Sequence, residues 1–65
     1  MARLSATERQ LFDLFNRMML DTDDQRISAG QSRLVSQGIS LTDARAIATS
    51  AHDRWLAETK PMEPN

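Results

Sequence analysis

The sequence predicts an all-α fold, a small three-helix bundle with helices at about 6–20, 23–37 and 41–59. Two observations carry this. Three helix-start signals are each followed by apolar residues at helical spacing, and a glycine stop separates the second helix from the third. Residues 1–60 read as a single helical domain, and 61–65, "PMEPN", as a disordered tail punctuated by two prolines.

The first helix opens on Ser5-Ala6-Thr7-Glu8, the pattern of a capping box. In that device the Ser side chain accepts from the third helical N–H and the Glu reaches back. Behind it, Leu11, Phe12, Leu14, Phe15, Met18 and Met19 spread over about 160° of a helical wheel, wider than the stripe of about 100° that one neighbour requires. Such a helix either touches both others or leaves a flank for a second chain, Leu14 with Met18 or Phe12 with Met19. Methionine suits the second role because its flexible thioether adapts to varied surfaces.

Thr22-Asp23-Asp24-Gln25 repeats the box, with two carboxylates placed where the helix N-terminus is partially positive. The helix that follows is meagre in apolar residues, offering Ile27, Leu34 and Val35, with Gly30 and Gln31 on the same side. Glycine within a helix costs about 1 kcal/mol against alanine. Gly30 therefore marks either close approach of a neighbouring backbone or a local break at residues 28–30.

Gly38 falls at the left-handed position of a Schellman stop, where Ile39 can touch Leu34. Ile39 also precedes Ser40, the cap of Ser40-Leu41-Thr42-Asp43, and can pack on Ala44 as a hydrophobic staple. The third helix presents Leu41, Ala44, Ile47, Ala48, Ala51 and Trp55 on one side. Beside that stripe Arg45, His52 and Leu56 follow at spacings of seven and four, on one strip next to Trp55. Arg, His and Leu beside a Trp match the makeup of an interface hot spot.

The chain has 65 residues, no cysteine and one histidine. A chain so short buries only about 60% of its unfolded surface. Without a disulfide framework or a Cys/His zinc site, the remaining staple is another chain, so a homodimer or a complex with another protein is expected. Charges of both signs are mixed along the sequence and the formal net charge is −1, which gives no footprint for nucleic acid or for a membrane surface. No apolar run approaches a membrane span and the first residues lack the apolar core of a signal peptide, so a cytoplasmic location is expected.

Catalysis finds little material. His52 and Asp53 are adjacent and point about 100° apart on a helix, a poor acid–base pair. Asp21, Asp23 and Asp24 suggest a calcium loop, yet Arg26 and Ser32 occupy the positions that need glycine and glutamate. No enzyme activity, no metal and no cofactor are expected. The turn at 36–46 has the layout of a DNA-reading helix-turn-helix, with Ile39 and Ile47 at its branched apolar positions. Leu34 stands where a small residue is wanted, and Asp43 and Asp53 on the would-be reading helix oppose phosphate.

The stretch "LTDARAIATSAHDRWLAE", residues 41–58, resembles the third helix of the Hha/YmoA family of small enterobacterial regulators, and "LDT" at 20–22 resembles the entry to that family's second helix. The resemblance implies that Asp53 matches the family's aspartate and that the chain docks on an H-NS-type nucleoid protein. The residues themselves lead to a non-enzymatic protein-binding module: a dimeric inhibitor, adaptor or regulator of the kind found in phages and mobile elements. Its expected partner-binding residues are Phe12, Leu14, Phe15, Met18, Met19, Arg45, His52, Trp55 and Leu56. A helix-turn-helix regulator or Hha-like modulator is the alternative, and a structural subunit of a larger assembly a further one.

Overall fold

The computed structural model describes residues 5–59, so the expected tail at 61–65 lies outside the described residues. Three helices follow in order: α1 (Ala6–Arg17), α2 (Asp23–Ser36) and α3 (Leu41–Thr59). The starts fall where the capping signals put them. Ser5 Oγ accepts from Glu8 N at 3.1 Å while Ser5 N donates to Glu8 Oε1 at 3.1 Å. Thr22 and Gln25 make the same exchange at 3.2 and 3.0 Å. At α3, Ser40 Oγ accepts from Asp43 N at 3.3 Å.

The stop at Gly38 is a Schellman motif. Gly38 N donates to Val35 O at 3.0 Å and Ile39 N to Leu34 O at 3.1 Å, with Gly38 at φ 93°. Nothing lies within 4 Å of a Cβ built there, so Gly38→Ala carries only the backbone cost of a left-handed residue, about 1 kcal/mol. That change is expected to lower the thermal midpoint by about 4–8 °C, measured by circular dichroism.

The core gathers Leu11 and Phe15 from α1, Leu34 from α2, and Ala44, Ala51 and Trp55 from α3. α3 packs most extensively on α2, less on α1, and α1 touches α2 least. The reason is side-chain size. Gly30 faces Ala48, whose Cβ would stand 3.4 Å from a Cβ at residue 30, so the two helices meet almost backbone to backbone. α2 runs unbroken through Gly30, which resolves the two readings of that glycine in favour of close approach. Gln10 of α1 is tied to Gln37 at the end of α2 by a 2.6 Å hydrogen bond, and Arg54 bridges Glu8 of α1 at 3.4 Å and Glu58 at 3.1 Å.

One boundary departs clearly from expectation. α1 stops at Arg17, three residues early, and Met18–Leu20 form a turn in which Met18 N reaches Phe15 O at 3.0 Å and Asp21 N reaches Met18 O at 3.0 Å. The cause lies on the next helix. Arg26 Nη1 donates to the carbonyls of Met18 at 3.1 Å and Met19 at 3.3 Å, and also to that of Asp21. A cation thus satisfies the part-buried carbonyls of the turn that follows α1 and faces the negative end of that helix. No helix among the described residues is long and apolar enough to cross a membrane.

Candidate functional site

The expected site residues part into three groups. Phe15, His52 and Trp55 are interior. Phe12, Leu14, Met18 and Leu56 are half-buried, and Phe12, Leu14 and Leu56 pack against the core. Met19 and Arg45 are exposed. The strip of Arg45, His52, Trp55 and Leu56 is therefore not a surface. Because both other helices pack on α3, its buried stripe is wide enough to draw in His52 as well as Trp55.

What makes a histidine tolerable there is Arg26, which the sequence reading passed over. Arg26 is 6% exposed and His52 is 1% exposed. Arg26, Gly30 and Leu34 recur every four residues and form the buried side of α2, in place of the expected Ile27 and Val35. Periodicity thus marked the position, and the charge of the side chain hid it. Arg26 Nε donates to His52 Nε2 at 2.8 Å. An arginine always carries its proton, so His52 is held as the neutral tautomer with hydrogen on Nδ1.

The rings complete the cluster. Phe15 meets His52 edge-on at 5.0 Å and Trp55 at 5.7 Å, while His52 and Trp55 lie 5.4 Å apart. The Arg26 guanidinium sits 4.9 Å over the Trp55 ring, where the negative π face attracts it. Trp55 Nε1 donates to Asn16 Oδ1 at 2.9 Å, and Arg26 Nη2 pairs with Asp23. Residues from all three helices are thereby tied to one guanidinium and one indole. Burial, followed by the charge of Arg26, lowers the His52 pKa from its ordinary 6.5.

The surface above this cluster is the α1–α2 corner. Leu20 is fully exposed and Met19 is 60% exposed. Below them a shallow groove of about 430 Å3 is bounded by Met18, Asp21, Asp24, Gln25 and Ser28. Leu20 escaped the sequence reading because it was placed inside a longer first helix. A second groove of about 430 Å3 runs between the start of α1 and the middle of α3, at Thr7, Glu8, Ala46, Ile47 and Ser50.

On α3 the exposed side carries Asp43 and Asp53 against Arg45. Among the described residues no group of three or more His, Cys, Asp or Glu side chains is placed to hold a metal ion. No family model, no curated protein and no solved structure matches the chain, so the likeness of residues 41–58 to the Hha/YmoA family has no such match behind it.

Proposed function

We propose that this chain is a small docking protein, an inhibitor, adaptor or regulator that seats the α1–α2 corner in another protein. The observation that carries the reading is the state of Met19 and Leu20. Two large apolar side chains stand in solvent on a turn whose carbonyls are held by a buried arginine. A loop pinned in this way loses little conformational freedom on binding, which favours affinity. An apolar tip on a rigid mount suits a pocket in a partner.

The rim says what kind of partner. Asp21 and Asp24 are exposed beside the apolar tip, so a partner pocket edged by Lys or Arg is complementary. Pairing of this corner with a second copy would set those carboxylates against each other, which argues for a different, basic protein. DNA reading by α3 has weaker support, since two carboxylates share its exposed side with Arg45.

The test uses a short amphipathic peptide of alternating leucine and lysine as probe, titrated into the labelled protein and followed by NMR. Shifts are expected at residues 18–25, and replacing the lysines by glutamates should remove them. Met19→Ser with Leu20→Ser is expected to weaken peptide binding at least tenfold while leaving the thermal midpoint within about 2 °C, because exposed side chains contribute little to the fold. Binding elsewhere, or binding indifferent to the double substitution, would sink the proposal.

A further inference from the structure

The immediate surroundings of His52 disfavour a positive charge on its ring. From α2, Arg26 faces it through Nε at 2.8 Å, and Asp23 is engaged with the other end of the same guanidinium. Its own helix contributes Asp53, which is exposed, and from α1 the uncharged edge of Phe15 meets it at 5.0 Å. The Arg26–His52 bond requires a lone pair on Nε2. A proton there would oppose one N–H to another and bring two cations to hydrogen-bond distance in the interior.

The same guanidinium holds the carbonyls of Met18, Met19 and Asp21. We infer that the Arg26–His52 pair is an acid-sensitive latch: a proton on His52 displaces the guanidinium and releases the Met18–Asp21 turn, while α2 and α3 stay packed. Arg26 and His52 lie at one end of the seam between those helices; further along, where Gly30 meets Ala48, the seam is made of small apolar residues, which confines the effect to the corner.

The direction of the His52 shift agrees. Desolvation, then the charge of Arg26, hold its pKa below 6.5, against the opposing pull of Asp23 and Asp53. Because the folded value lies below the unfolded one, the stabilisation is complete above about 6.5 and is lost as pH falls from there through the folded value.

NMR on the free 65-residue chain separates this inference from the docking proposal. The His52 imidazole is titrated from pH 8 to 5 alongside hydrogen-exchange protection factors, which correct for the intrinsic pH dependence of exchange. The imidazole midpoint is expected below 6.5. Protection of the Met18 and Asp21 amides should fall at least tenfold through that midpoint, with the Ala48 and Ala51 amides unchanged. His52→Gln keeps an acceptor without a titrating proton and is expected to flatten the response; if it fails to fold, the wild-type titration decides alone. A midpoint at 6.5 or above, or corner protection that ignores the titration, would overturn the latch. So would simultaneous loss at all four amides, which marks collapse of the whole core.

Discussion

Arg26→Ala is expected to lower the unfolding free energy by about 3 kcal/mol, summing a buried His52 acceptor left without its donor and part-buried carbonyls that must find water. The stability available to a chain of this size is about 3–10 kcal/mol, so the loss takes about a third of it or more. Arg26→Lys separates charge from shape. An ammonium keeps the charge but cannot reach His52, the carbonyls of the Met18–Asp21 turn and Asp23 at once as the planar fork does. It should recover less than half of the loss, and Arg26→Met less still. Urea unfolding at pH 7.5, followed by Trp55 fluorescence, measures all three. A loss under about 1 kcal/mol for Arg26→Ala would mean that the guanidinium is enclosed without holding anything, since surface changes typically cost no more than about 0.5 kcal/mol.

The second large effect is expected at Gly30. A Cβ there would stand 3.2 Å from Leu11 Cδ2, 3.3 Å from Phe15 Cε1 and 3.4 Å from Ala48 Cβ. Alanine gains about 1 kcal/mol of helix propensity, and the two closest atoms are ends of side chains that can retreat by a few tenths of an ångström. Gly30→Ala should therefore fall within about 1 kcal/mol of the parent, propensity and crowding roughly cancelling. Valine adds two carbons in a place already closed on three sides, one of them the Ala48 stem on α3. Gly30→Val should cost about 3 kcal/mol, the upper part of the range for overpacked cores. Denaturant midpoints for the two variants check the contrast. Equal tolerance of both would mean that α2 does not lie against Leu11, Phe15 and Ala48 as described.

How much of this was legible depended on whether the signal was local. Ser5, Thr22, Ser40 and Gly38 act on backbone within a few residues of themselves, and each set its helix boundary as read. The end of α1 has no such residue. Nothing at 18–21 is glycine or proline, and the helix is stopped by an arginine five residues beyond the turn. That arginine was itself hidden, because burial of a charge is normally unfavourable and becomes tolerable only when acceptors from other elements converge on it. Trp55 was read on the packing stripe of α3 and is buried there, whereas His52 was read on the flanking strip and is buried too, since a helical wheel shows adjacency but not how many neighbours share a helix. The exposed Leu20 followed from the same unread boundary.

The alanine seam of α3 bears on how the molecule responds to temperature. Ala44, Ala48 and Ala51 let two helices come close while each withdraws little hydrocarbon from water. The heat capacity of unfolding follows withdrawn apolar surface, and here belongs at or below the lower limit of about 12 cal/mol/K per residue. A small heat-capacity change makes the curve of stability against temperature broad and shallow. Cold unfolding then lies far from heat unfolding, and a modest fold keeps nearly the same margin across the range in which it has to work.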